Sequence, residues 1–145
     1  MRYLALIFCL ALLSPALSAQ EGIGIVDNAF ILCPSSPNCI SSMEPKRRKH
    51  IDLLYYTVTP EKARACVRDI MTEIGATLED HNNHWEHYSV QTGIGKFTDD
   101  VQFYYPQGQA SIHLRSASRV GYGDFGANRR RLKKISKQFY RMLEE

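Results

Sequence analysis

Between residues 51 and 145 the spacing of apolar positions changes several times, and each change marks an element. Residues 51–58, Ile-Asp-Leu-Leu-Tyr-Tyr-Thr-Val, are apolar and tyrosine-rich and predict a strand. Thr59, Pro60 and Glu61 supply an N-cap, a first-turn proline and an early acid, which together start a helix. Ala63, Cys66, Val67, Ile70 and Ile74 then recur at helical spacing with Met71 at the stripe's edge, and Gly75 closes the element. Residues 85–91 predict a second strand, followed by a turn over 92–95. Phe97, Val101, Phe103 and Tyr105 alternate with polar residues, and so do Ala110, Ile112 and Leu114. With Pro106-Gln-Gly108 as the turn between them, these two runs predict an antiparallel hairpin. A last helix from about Phe125 carries Leu132, Ile135, Phe139, Met142 and Leu143 on one stripe, with Asp124 as its N-cap. The order β-α-β-β-β-α predicts an α+β fold, an antiparallel sheet of about four strands with two helices packed on one face.

The residues before 51 lack a sustained period. Arg2, an uncharged apolar run from Tyr3 to Leu13, Pro15 and small residues at 16–19 have the form of a secretory signal peptide over residues 1–19. The run is shorter than the ~20 residues of a membrane-spanning helix. The expected organisation is a signal peptide (1–19), a leader arm with a disulfide loop (20–50) and one α+β domain (51–145), in a periplasmic or secreted protein. Cys33, Cys39 and Cys66 remain after cleavage. The turn-rich Pro34-Ser-Ser-Pro-Asn38 can bring Cys33 and Cys39 together, and their spacing matches neither a C-x-x-C pair nor a zinc knuckle. The expectation is a Cys33–Cys39 disulfide and a buried, reduced Cys66.

The chain carries 18 lysines and arginines against 15 aspartates and glutamates; without Arg2 the balance is 17 to 15. That is too near neutral for a dedicated polyanion binder, so nucleic acid is a disfavoured partner. The run Lys46-Arg-Arg-Lys-His50 is expected to be a solvated charge cluster. No later segment is apolar for long enough to span a bilayer, so a soluble mature chain is expected.

Chemistry concentrates in residues 115–131, where five arginines, two serines, an aspartate and an asparagine are threaded through three glycines. Glycines let a backbone turn tightly, and arginines grip carboxylate or phosphate. A two-residue loop at Gln107-Gly108 would set Phe103 opposite Ile112, Val101 opposite Leu114, Asp100 opposite Arg115 and Asp99 opposite Ser116. A three-residue loop would set Asp99 opposite Arg115 instead. By alternation Asp99 shares the core face with Phe97 and Val101 and must find donors there, with Ser116, Ser118 and Arg119 as candidates. Asn128 and Arg131 face inward from the last helix, Arg129 sits at its edge and Arg130 points away. The network is either a structural lattice or an anion site built from Arg115, Ser116, Ser118, Arg119, Asp124, Asn128, Arg129 and Arg131. A ligand is then to be sought at whichever arginine the aspartates leave unpaired.

Other chemistry is weaker. His81, His84 and His87 would make a metal face only on a helix, and the strand-like pattern there turns His84 and His87 to opposite sides. Ser116, His113 and Asp100 form no nucleophile elbow, and alternation separates the serine from the histidine. No metal and no cofactor is expected.

Cys33-Pro-Ser-Ser-Pro-Asn-Cys-Ile-Ser-Ser42, the Asp99-Asp100 pair ahead of an apolar strand, and residues 115–131 together resemble domain-of-unknown-function family 1499 over nearly the whole mature chain. Thr98 stands where members often carry phenylalanine or valine, while Arg115, Arg119, Arg129 and Arg131 fall where the family's basic residues do. The resemblance implies an exported or membrane-linked bacterial or plastid protein and no particular activity. Two classes of function stay open. The expected one is a small exported binding or accessory module whose arginine-rich site takes an anionic small molecule, a lipid headgroup or an acidic protein surface. The alternative is a hydrolase-like enzyme with Asp99 or Asp100 as general acid or base beside the arginines.

Overall fold

A computed structural model describes residues 22–93 and 97–144. The signal-peptide reading, and Ile94 and Gly95 of the turn expected at 92–95, fall outside them. The elements are β1 (Ile25–Val26), β2 (Ala29–Phe30), β3 (Cys39–Ser41), β4 (Leu54–Tyr55), α1 (Pro60–Glu73), β5 (Thr77–His81), β6 (Trp85–Thr92), β7 (Phe97–Tyr104), β8 (Ser111–Ser118) and α2 (Ala127–Glu144). The expected α+β class with an antiparallel sheet and two helices is present. The sheet has six strands rather than about four, in the order β3-β8-β7-β6-β5, with β4 also on β8. A separate hairpin, β1-β2, precedes it.

The helices begin and end for the reasons their sequences supply. Thr59 caps α1 by accepting the Lys62 amide at 3.2 Å, Pro60 opens the first turn, and Gly75 at φ +73° leaves it. Helix α2 starts at Ala127 rather than Phe125, because Phe125 and Gly126 both take positive φ. Asp124 does the capping from further back: its carboxylate accepts the amides of Gly126 (2.9 Å) and Asn128 (2.8 Å).

The hairpin register differs from both expected ones. Asp100 lies opposite Ala117, Asp99 opposite Ser118, and Arg115 opposite Gln102. Its cause is the turn. Gln109 closes it onto Pro106 O (3.3 Å), and Tyr105 donates its amide to His84 O (2.8 Å) instead of across the hairpin. Pairing therefore begins only at Tyr104–His113. Against the register of the two-residue loop the shift amounts to two residues, so every side chain keeps its expected face. Phe97 nevertheless lies beyond the core, more than half exposed. The predicted strand over 51–58 shrinks to Leu54–Tyr55, which with β3 shares the outer edge of β8. At the opposite edge lies β5, exposed at every position and broken by a bulge between Leu78 and Asp80.

Both sheet faces are covered, by different means. On one face α1 contributes Ala63, Cys66, Val67, Ile70 and Met71, and α2 contributes Leu132, Ile135 and Phe139. They pack on Tyr88, Val90, Val101, Phe103, Ile112 and Leu114. Within this layer Glu86 is fully buried and accepts from Arg64 Nε (2.8 Å), Arg68 Nε (2.6 Å), Tyr88 OH (3.1 Å) and Tyr105 OH (2.8 Å). Burial pushes this carboxyl up, but the guanidiniums and the Tyr105 hydroxyl outweigh it and hold Glu86 below its ordinary range. The other face is covered by the leader, whose Phe30 packs with Trp85 and Tyr104 beside Ile23, Ile25 and Met43. Gln102 clamps the leader's start, accepting Gly24 N (2.8 Å) and donating to Gly22 O (3.0 Å). The Cys33–Cys39 disulfide is formed with its Cα atoms 5.6 Å apart, and Lys49 Nζ donates to the carbonyls of Pro34 and Ser36 beside it. That lysine is buried, unlike its exposed neighbours Lys46, Arg47 and Arg48 in the basic run.

Two outcomes follow from these contacts. Cys66 is buried under α2 and burial raises its thiol pKa, so a maleimide should label it only after denaturation. A folded protein that labels at once would contradict this packing. Because the folded Glu86 pKa is depressed, its stabilisation is present above about pH 4.5 and is lost as pH falls through the folded value. Glu86→Gln should cost about 3 kcal/mol at pH 7 and flatten the acid limb of urea midpoint against pH.

Candidate functional site

Asp99 and Asp100 are consecutive in β7, so strand alternation sends them to opposite faces. Both are buried, and each takes an arginine from residues 115–131. On the helix side Arg131 Nη2 donates to Asp99 Oδ2 (2.6 Å), and Arg131 Nη1 donates to Ser116 Oγ (3.0 Å) and Asn128 Oδ1 (2.8 Å). Asn128 is the hub. Its Oδ1 accepts from Ser116 Oγ (2.5 Å), and its two amide hydrogens serve Asn38 O (3.1 Å), Ser118 Oγ (3.0 Å) and Asp124 Oδ2 (2.8 Å). Burial raises the Asp124 carboxyl, but the helix-start amides and Asn128 hold it below its ordinary range. This half is a lattice that ties β8, α2 and the disulfide loop together.

On the leader side Arg119 grips Asp100, with Nε at 3.1 and 3.2 Å from the two carboxylate oxygens and Nη2 at 2.9 Å. His87 Nε2 lies 2.7 Å from Asp100 Oδ1, and the His87 ring stacks on Trp85 at 5.9 Å. Burial pushes Asp100 up, yet the bonds from His87 and Arg119 dominate and keep it ionised below the usual carboxylate range.

Arg115 is the exception. It is 3% exposed, and among the described residues its side chain has neither a hydrogen-bond acceptor nor an ion-pair partner. Burial pushes the guanidinium below its usual range, opposed by the more distant charges of Asp100 and Glu44. Gly22 lies against it: a Cβ at that glycine would come within 2.8 Å of Arg115 Nη2, and its φ of +109° is a backbone conformation that favours glycine.

The expected site residues thus divide. Asp99, Ser116, Ser118, Asp124, Asn128 and Arg131 meet in the lattice, and Asp100 with Arg119 meets on the other face. Arg115 stands apart from both aspartates, contrary to the expected cross-strand pair. Arg129 leaves the network altogether, donating to His50 O (2.9 Å) and Arg48 O (2.6 Å). As expected, Arg130 points outward; it donates to Phe125 O (2.7 Å). Sequence reasoning missed His87, Gln102 and Glu86. Gln102 shares the parity of Asp100 on β7, and His87 joins that face because it pairs with Gln102 across β6 and β7. Ser116 and His113 are apart: the His113 Nδ1 bonds Ser42 Oγ (3.0 Å), and burial lowers the His113 pKa. Among the described residues no cluster of histidine, cysteine and carboxylate side chains is arranged to hold a metal, and no helix is long and apolar enough to cross a membrane.

Two open cavities lie at the opposite end of the sheet from the glycine-rich loop. One, of about 880 Å³, is lined by Asn28, Asn82, His84, Tyr104, Gln107 and His113 among others. A smaller one of about 460 Å³ lies between Tyr56, Pro60, Arg64 and Tyr105. Neither is lined by an arginine of residues 115–131.

Asn128→Ala should lower stability by about 3 kcal/mol, since it orphans several buried groups at once. Arg130→Ala should stay within about 0.5 kcal/mol of the parent. Urea denaturation of the two variants checks the contrast.

Neither a curated protein nor a solved structure matches the chain. The sequence profile of the proteins of unknown function designated DUF1499 matches residues 30–139, a span that begins at the leader's buried Phe30 and ends at the buried Phe139 of α2. That span holds the disulfide loop, the aspartate pair and the arginine-rich segment. The chain belongs to the DUF1499 family.

Proposed function

We propose that this is a small exported binding module that holds an anionic group at Arg115. The observation that carries this reading is the buried Arg115 Nε, which has no hydrogen-bond acceptor among the described residues. A buried cation without a partner costs several kcal/mol, and among the described residues Arg119 and Arg131 are paired with the nearby aspartates while Arg115 Nε has no acceptor. A carboxylate or phosphate supplied by a ligand satisfies it through the planar fork. On the leader side Gly22 lies against the guanidinium, and Gly22 and Gly24 are each bonded to Gln102. The enzymatic alternative has less support. Asp100 is held as an anion by His87 and Arg119, so at neutral pH it has no proton to donate and is a weakened base. Export rests on the signal-peptide pattern, with the disulfide as a compatible feature.

Arg115→Met separates a binding arginine from a structural one. Without ligand the variant should melt at or above the parent, because a buried charge with no ion-pair partner among the described residues has been replaced by an apolar chain of similar length. Inorganic phosphate or citrate at about a hundred times its dissociation constant should add about 2.7 kcal/mol to the parent, a rise of several degrees, and nothing to the variant. A marked drop in melting temperature in Arg115→Met, with no response of the parent to either anion, overturns the proposal.

A further inference from the structure

The turn between β8 and α2 exposes its apolar side chains. Phe125 is 99% exposed, Tyr122 is 76% exposed, and Val120 is more than half exposed. Arg119 N bonds Thr98 O (3.0 Å), which carries the β7–β8 alignment one step further and sets exposed Phe97 beside Val120. Four apolar side chains therefore crowd one end of the sheet. Solvated aromatic side chains on a loose loop would mean little, but this loop is fixed. Asp124 binds the Gly126 and Asn128 amides, Arg130 binds the Phe125 carbonyl, and Asn38 Nδ2 binds the Gly121 carbonyl (2.5 Å). Phe125 sits at φ +51°, a conformation that costs a bulky residue strain, and the fold imposes it while pointing the ring outward.

Charge gathers behind these rings. From Arg119 to Arg141 the chain has eight basic residues and one acidic residue, whereas the whole chain has 18 and 15. Arg130, Lys134, Lys137 and Arg141 are all exposed and follow one another at helical spacing along the outer side of α2, with Lys133 beside them. The stripe starts at the residue that bonds the Phe125 carbonyl, so the aromatic tip and the basic face are continuous.

We infer that this end of the molecule docks on an anionic lipid surface, with Phe125, Tyr122, Val120 and Phe97 entering the interface and the basic stripe of α2 lying against the headgroups. Aromatic side chains favour the headgroup boundary, and each lysine or arginine near an anionic surface adds attraction. A nucleic acid would use the positive face but offers no apolar phase for Val120 and Phe97. The docking surface is distinct from Arg115, which lies on the leader face under Gly22.

Vesicle flotation tests it, using unilamellar vesicles of phosphatidylcholine alone or mixed in equal parts with phosphatidylglycerol. The parent should float with the mixed vesicles and stay behind with phosphatidylcholine. Lys133→Glu with Lys134→Glu should weaken binding about tenfold or more. Phe125→Gly relaxes the positive-φ backbone, so it should melt no lower than the parent and yet lose vesicle binding about tenfold with Tyr122→Ser added. Three results overturn the inference: no flotation of the parent, equal flotation on both vesicle types, or flotation that survives loss of the rings. Saturable binding to an acidic protein with no vesicle binding assigns the surface to a protein partner and overturns it equally.

Discussion

Burial of β7 on both faces is the constraint on which the other contacts depend. From Asp99 to Tyr104 every residue of this strand is buried, so each face needs its own cover. The odd positions, Val101 and Phe103, are apolar and take helices. The even positions are Asp100, Gln102 and Tyr104, and an oily cover would strand their polar groups. Cover on that side is therefore built from hydrogen bonds as well as contact. Gln102 serves the backbone of Gly22 and Gly24 and accepts Trp85 Nε1 (3.1 Å), while Tyr104 OH bonds Asn28 Oδ1 (3.2 Å). The leader belongs to the fold because one face of its central strand is polar.

The consecutive aspartates account for two of the five arginines spread through one segment. Residues 115–131 pass along β8, round the end of the sheet and into α2, and so present guanidiniums to both faces in turn. Arg119 meets Asp100 before the turn and Arg131 meets Asp99 after it. Arg129 reaches back to the carbonyls of Arg48 and His50, and Arg130 secures its own loop. Each arginine has a separate task set by the face it lands on. Among the described residues that distribution leaves Arg115 Nε without an acceptor.

Much of this was legible because period and parity survive small errors. The helical stripes of α1 and α2 are long, and their caps are named by Thr59 and Asp124. The hairpin turn was misjudged by two residues, and side-chain faces remained correct because the pleat repeats every two. The partners were wrong for the same reason: ion pairing depends on register itself, which was set by the Tyr105 amide turning to His84, a contact between distant residues. Strands β3 and β5 were invisible for different causes. Cys39–Ser41 is too short to show a period, and Thr77–His81 has every side chain exposed and so no apolar alternation to detect. Tertiary pairing alone makes them strands.

The fully exposed β5 has a bearing on how the chain behaves among its own copies. A sheet ends in unpaired backbone groups that invite another strand, and here the two ends are closed unequally. At β8 the outer edge is divided between β3 and β4, both from the same chain. At β5 the edge is open, but Glu79, Asp80 and His81 line it and the bulge after Leu78 bends it out of register with any straight neighbour. Growth of this sheet by strand addition is thus limited on one side by the shortness of the edge strands β3 and β4, three and two residues long, and on the other by charge and curvature. A protein with a two-sided buried strand at its centre keeps that pairing capacity turned inward, and association between molecules is left to faces and loops.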